Sequence, residues 1–308
     1  MPKKIAAFGE FLWDLLPSGK VLGGAPANFI YRINSFGDQG MLLSKVGNDK
    51  AGREAREAIR KLGLSDENIQ IDYELPTGSV KVKIDEHGNP DFNIITDVAY
   101  DHIEINYEMI DAFSEADCIC FGTLVQRYGI SKNTLRELVN ESPDVVKFLD
   151  INLRKKCYTA ASVEESLKMA DILKTNDEEL FITKSLLGLK GENLQDLARE
   201  ALHTFNLQII LCTLGPDGAF CLTRDGQFYY DPGYQVHLID TVGSGDAFSA
   251  GFVHYYMNNQ PIEEALRFGN AAGAMVATTT GATSPVSKAQ ILDFMNIPQK
   301  RNDAGFLK

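Results

Sequence analysis

The chain is short of the devices on which several protein classes depend. It has five cysteines in 308 residues: Cys118, Cys120, Cys157, Cys212 and Cys221. The number is odd, and no CxxC pair or histidine partner stands at metal-ligand spacing. A disulfide framework and a zinc site are therefore not expected, and the thiols read as reduced in a cytosolic protein. No apolar run is long enough to span a membrane. The one after Lys3 and Lys4 ends at Glu10 and Asp14, too short for a signal peptide. Cations are also few: 30 Lys and Arg stand against 42 Asp and Glu, a net charge of −12. Nucleic acid is thus not expected as a main partner, because its backbone is bound by clustered Lys and Arg. No arginine occurs between Arg60 and Arg127, so that segment has no bidentate holder for a carboxylate.

The familiar nucleotide and hydrolase motifs are missing too. There is no GxxxxGK[ST] loop and no GxGxxG opening a helix, which excludes a Walker-type ATPase and a usual Rossmann dehydrogenase. Asp91-Phe92-Asn93 lacks the glycine of a protein-kinase DFG, and HRD, HExxH and GxSxG are absent.

What is present is an α/β rhythm. The chain is 44% hydrophobic and 23% charged, within reach of one large domain. Ile5 to Phe8, Met41 to Val46, Ala116 to Phe121, Val145 to Leu149, Ile172-Leu173 and Leu207 to Leu214 read as strands. Helices are expected from Pro26, over Arg53–Leu62 and Lys132–Asn140, and over Glu263–Ala277. Such alternation predicts a parallel sheet with right-handed crossovers. The rhythm breaks at Tyr73. Val80, Val82 and Ile84 alternate with Lys81 and Lys83, Asp85–Asn89 is turn chemistry, and Phe92 to Ile95 is extended again. This predicts a hairpin that forms a small lid sheet, with His87 solvated in its turn. A second hairpin is expected over Ala219–Tyr230, and Arg301 to Gly305 reads as a loose tail.

Polar and glycine motifs recur just after the strands, where a doubly wound sheet gathers them into one crevice. Glu10, after the first strand, reads as solvated loop; Asp14 reads as functional. Gly23-Gly24-Ala25-Pro26-Ala27-Asn28 opens a helix. Asp240-Thr241-Val242-Gly243-Ser244-Gly245-Asp246 opens another. There, small residues let backbone N–H groups converge on an anion, and a carboxylate stands at the rim. That pairing suits phosphoryl transfer: donors for the moving charge and a base for the attacking hydroxyl. The helix N-terminus is expected to favour ionised Asp246.

These motifs resemble those of the PfkB-type carbohydrate kinases, the ribokinase-like family, and most of all its bacterial fructokinases. Gly37 to Gly52, with Lys45-Val46-Gly47-Asn48-Asp49, is similar to the family's N-terminal signature. Asp240–Asp246 is similar to its C-terminal DTxGAGD signature, with Ser244 for the usual alanine. Gly23–Asn28, Asp150–Arg154, Asn176–Glu179 and Thr213–Gly218 follow in the expected order. The resemblance implies a ribokinase-like, doubly wound, mostly parallel sheet flanked by helices. The core would comprise 1–10, 23–72 and 98–308, and the β lid 11–22 and 73–97.

The resemblance also implies ATP, Mg²⁺ and a sugar as ligands, with K⁺ as a further cation. Asp246 would be the base; Gly243, Ser244 and Gly245 the anion hole; and Arg154 would point at phosphate or substrate. Asp14, Gly23, Gly24 and Asn28 would hold the sugar. Asn176 and Glu179 would help place Mg²⁺, Thr213, Gly215 and Gly218 would line the nucleotide, and Asn270 would lie beside the adenine. Asp240, with carbonyls near Val242 and Thr279, resembles a monovalent-cation site. The expected reaction is fructose to fructose 6-phosphate. The alternatives are a 2-keto-3-deoxygluconate kinase, a ribokinase, or a sugar-binding regulator without catalysis. A homodimer joined lid to lid through Val80, Val82 and Ile84 is expected.

Overall fold

Apolar runs of four to six residues, too short for helices, build the sheets. The computed structural model describes residues 1–16, 19–84 and 90–302, with backbone alone at 82–84 and 90–92. The turn around His87 and the end of the tail lie outside the described residues. Strand β1 (Lys4–Phe8) leads to β2 (Leu12–Leu16), β3 (Gly19–Gly23), helix α1 (Ala25–Ser35), β4 (Gln39–Gly47), α2 (Lys50–Lys61) and β5 (Ile69–Asp72). Then come β6 (Gly78–Ile84), β7 (Pro90–Ile94), α3 (Tyr107–Ser114), β8 (Cys118–Phe121), α4 (Gly129–Glu141), β9 (Val146–Asp150) and α5 (Ala160–Met169). The remainder is β10 (Ile172–Asn176), α6 (Asp177–Leu187), α7 (Leu194–Thr204), β11 (Ile209–Thr213), β12 (Gly218–Thr223), β13 (Phe228–Pro232), α8 (Ser244–Met257), α9 (Ile262–Val276) and α10 (Lys288–Asn296).

The large sheet runs β13-β12-β11-β10-β9-β8-β1-β4-β5. It is parallel except where β12 and β13 join antiparallel. Successive side chains on β1 enter opposite cores. Ile5 and Ala7 pack with the α1, α8 and α9 layer, and Ala6 and Phe8 with the α4, α5 and α7 layer. Both faces being covered, the strands read as continuous apolar runs. The chain leaves β1 towards β4 and β5, then returns to β8 on the other side. That reversal opens a crevice at the carboxyl ends of β1 and β8, where such sheets hold ligands.

The second sheet runs β3-β2-β6-β7, with β2 and β6 parallel. Trp13 ties it to the large sheet's helices, its Nε1 donating to Ala51 O at 3.0 Å. Two expectations change here. Val80 is buried against Leu12, Val98 and Tyr100 of its own chain, so it is not part of a dimer face. Arg301 is not loose: its guanidinium pairs with Asp231 at 2.5 Å and lies over the Tyr234 ring. All five cysteines are buried free thiols. No helix among the described residues is long and apolar enough to cross a membrane.

Candidate active site

The crevice is lined by residues that follow β1, β8 and β9 and by the starts of α1 and α8: Glu10, Ala25, Thr123, Asp150, Asn152 and Asp246. Gly243, with φ of 80°, ends the loop before α8, and Asp246 stands in that helix's first turn. A side chain at Gly243 would run into Ala282. At Gly245 an added Cβ would come within 3.3 Å of Lys174 Nζ. A lysine therefore lies beside the Asp240–Asp246 loop at Gly245.

Lys174 is buried and donates to Asp150 Oδ1 at 3.0 Å, and Ser249 Oγ donates to Asp150 Oδ2 at 2.9 Å. Burial opposes the Lys174 charge, but Asp150 and Glu179 outweigh it and its pKa lies above the usual value. Lys174 was not singled out in the sequence. The available signal was a lysine directly after the apolar Ile172-Leu173 pair of a central strand, where a charge needs a partner.

Asn28, on α1, donates from Nδ2 to Asp246 Oδ2 at 2.8 Å. The expected sugar-side helix and the expected base are thus in direct contact. Burial pushes the Asp246 carboxyl up to about 6, and the Asp150 charge adds to the rise. Asn28, Lys174 and Arg154 oppose it. This corrects the expectation from the helix dipole alone: desolvation outweighs it, and the group is more basic than an ordinary aspartate. Arg154 is exposed, and its charge works on Glu10, Asp14 and Asp246 alike.

Glu10 is a second correction. It is 5% exposed and lines the crevice rather than facing solvent. Gly24, with φ of 109°, brings α1 so close that an added Cβ would strike Glu10 O. Burial raises the Glu10 carboxyl to about 7. Its folded pKa thus exceeds the ordinary glutamate value of 4.5, so its stabilising contribution is complete below pH 4.5 and is lost as pH rises through 7. Glu10→Gln is expected to stabilise the fold by about 3 kcal/mol at pH 8, shrinking towards nil at pH 4. Urea unfolding at both pH values checks this, and an equal difference at both counts against a buried ionising Glu10.

Asp14 is half-buried with its carboxyl raised by burial, against Arg154. Gly23 lies beside it across the β2–β3 pair, and a Cβ there would displace the Asp14 carboxyl. Asn176 and Glu179 form a reciprocal cap: Asn176 Oδ1 accepts from Glu179 N at 2.8 Å, and Glu179 Oε2 accepts from Asn176 N at 3.0 Å. Glu179 Oε1 also accepts from Leu153 N at 2.9 Å. Burial raises the Glu179 carboxyl.

Thr213 ends β11, and Gly215 follows with φ of 56° and open space around it. Gly218 serves the fold, since a Cβ there would strike Asp231 O. Asn270 is engaged with β13: its Nδ2 donates to Asp231 Oδ2 at 2.5 Å and to Pro232 O at 2.8 Å. Asp240 accepts from Val242 N at 3.0 Å and from Gly281 N at 2.9 Å. Thr279 Oγ1 donates to Val276 O at 2.8 Å and shares a hydrogen bond with Ser284 Oγ.

Among the described residues, no group of three His, Cys, Asp or Glu could hold a metal ion. Asn176 and Glu179, polar groups at the carboxyl end of β10, could meet a Mg²⁺ that arrives on a polyphosphate and keeps its waters.

The comparisons with known proteins agree with this architecture. The chain is 27% identical to a fructokinase of Vibrio alginolyticus, over 93% of this chain and 97% of that one. A crystal structure of a sugar kinase from Pyrococcus horikoshii in complex with ATP superposes with a TM-score of 0.81 at 28% identity. It covers 94% of this chain and 97% of the other. A fructokinase double mutant from Vibrio cholerae O395, solved with fructose, ADP and a potassium ion, shares the fold, with a TM-score of 0.81 at 22% identity. It covers 96% of this chain and all of its own. The pfkB family carbohydrate kinase model matches residues 18–289, and the chain belongs to that family.

Proposed function

We propose that the protein transfers the γ-phosphoryl group of ATP to a hydroxyl of D-fructose, giving fructose 6-phosphate and ADP. The contact between Asn28 and Asp246 carries this reading, because it joins the sugar-side helix to a raised-pKa carboxylate at a helix N-terminus. As the hydroxyl oxygen bonds to phosphorus, the bond from phosphorus to the bridging oxygen breaks. The electron pair leaves with ADP, and the hydroxyl proton passes to Asp246. The N–H groups of Gly243 and Gly245 face the charge on the moving group, with Lys174 beside Gly245, while Ser244 N donates to Thr241 O at 3.1 Å and braces the loop. Mg²⁺, when bound, neutralises phosphate charge; Asn176 and Glu179 would hold its waters.

A neutral sugar is favoured over a ketodeoxy acid. Arg127, the first arginine after the lid, is already engaged, and the exposed Arg154 faces the carboxyls of Glu10, Asp14 and Asp246. Arg127 makes a bidentate pair with Asp101 at 2.7 and 2.8 Å, and its guanidinium also donates to Ile95 O and Tyr100 Oη. Asp14 adds negative charge on the sugar side, as does Glu10 when it is ionised. A coupled ADP-release assay over fructose, ribose and 2-keto-3-deoxygluconate tests the reading. Fructose is expected to give the highest kcat/KM. The highest value on the keto acid overturns the choice of sugar, and no turnover on any sugar favours the regulator. The same assay is expected to run faster in K⁺ than in Na⁺ at equal ionic strength, with Asp240 and the Val242 and Thr279 carbonyls as the cation's holders. The lid sheet is also the seam of a homodimer, through the exposed Leu16 and Val21. Sedimentation as a monomer at micromolar concentration removes that claim.

A further inference from the structure

Arg32 is 1% exposed, and no carboxylate forms an ion pair with it among the described residues. Among the described residues, every hydrogen bond its side chain makes goes to one short segment. Its Nη2 donates to Ala282 O at 2.7 Å and to Ser284 Oγ at 3.1 Å, and its Nη1 donates to Val286 O at 3.3 Å. Its Nε has no hydrogen-bond partner among the described residues. A buried guanidinium without a counter-ion is expensive for a fold, so its retention calls for a reason.

Position supplies one. Arg32 follows Asn28 by one turn on α1, so the two side chains share a face. Asn28 reaches Asp246, and Arg32 reaches the 282–286 segment. That segment is the wall against which the anion loop is set. Ala282 fills the space where a Gly243 side chain would stand, and Gly281 N donates to Asp240 at the loop's start. Helix α1 therefore grips the anion loop twice, at the base and from behind.

We propose that Arg32 is a positioning residue for phosphoryl transfer: it clamps the 282–286 segment so that Ala282 holds Gly243, and with it the anion hole, in register with helix α1. This rests on the reading of Gly243–Gly245 as the anion hole. The clamp matters when charge develops on the moving phosphoryl group, not when ATP or sugar first binds. Its loss should therefore appear in kcat and in the affinity for a transition-state mimic, with ground-state binding unchanged.

The test measures kcat, both KM values, and the affinities for ADP alone and for ADP–aluminium fluoride with fructose. Arg32→Met keeps the volume and removes the charge and the donors. It is expected to lower kcat at least tenfold, leave both KM values within about threefold, and weaken the mimic in proportion to kcat while ADP binds as before. Arg32→Lys is expected to fall between wild type and Arg32→Met. Ala282→Gly, which leaves Arg32 in place, is expected to show the same split. Should Arg32→Met fail to fold, Arg32→Lys and Ala282→Gly still decide. A kcat within twofold of wild type in the variants that fold overturns the inference, as does an equal loss of ADP and mimic affinity. A wild-type protein that binds the mimic no better than ADP overturns the anion-hole reading, and the clamp with it.

Discussion

Asp246→Asn is expected to lower kcat by about 10²–10⁴, the usual worth of a positioned general base. This corresponds to about 3–5 kcal/mol of barrier. ATP and sugar KM should change little, because the amide keeps the volume and can still meet Asn28. The fold should hold: burial disfavours the charged carboxyl, so a neutral amide costs less by desolvation at pH 8 than the carboxylate it replaces. Thermal unfolding at pH 8 should therefore occur at the wild-type temperature or above it. The pH profile gives an independent sign. A base must be ionised to act, so wild-type kcat should fall as pH drops through about 6. Asn28→Ala removes a hydrogen bond that holds the carboxylate charged, and its acid limb should move to higher pH. A variant keeping more than half of wild-type kcat removes Asp246 from the mechanism.

Much of the architecture was legible because it is written locally. Apolar runs bounded by Gly, Asp and Asn mark β1, β4, β9 and β11, and the strand ends carry the site. The glycines and aspartate of Asp240–Asp246 are contiguous, so an anion loop can be read without knowing what it touches. The edge strand β5 was missed because Ile69–Asp72 is four residues long, too short to show a period. Glu10 was misread because an acid after a strand looks the same whether water or a helix covers it. Here α1 covers it, through the close approach at Gly24.

Long-range chemistry was illegible for a related reason. Lys174 and Ser249 lie 24 and 99 positions from Asp150, and Ala282 lies 250 positions from Arg32. No window of sequence contains both partners. The ionisation of Asp246 fails to read locally in the same way. The helix end beneath it is visible in the sequence, but the burial and the Asp150 charge that override it come from other strands.

Lys174→Met separates the structural and chemical duties of the buried lysine. The ion pair with Asp150 has side chains 9% exposed on each side. Removing one member leaves a buried charge unpaired, at a cost of about 3–5 kcal/mol. The second loss is catalytic. Lys174 Nζ lies against Gly245, and removing an oxyanion-type donor or charge typically lowers kcat by about 10²–10³. Asp246 also loses a cation that favours its ionised form, so the acid limb should move above its wild-type position. The double variant Lys174→Met, Asp150→Asn distinguishes the two duties. It removes the orphaned charge, so much of the stability should return, while the loop still lacks its cation and kcat should stay low. Urea unfolding and kcat measured on the same preparations decide the matter. Recovery of both together would mean that Lys174 serves only to neutralise Asp150, and that the charge beneath the loop has no part in phosphoryl transfer.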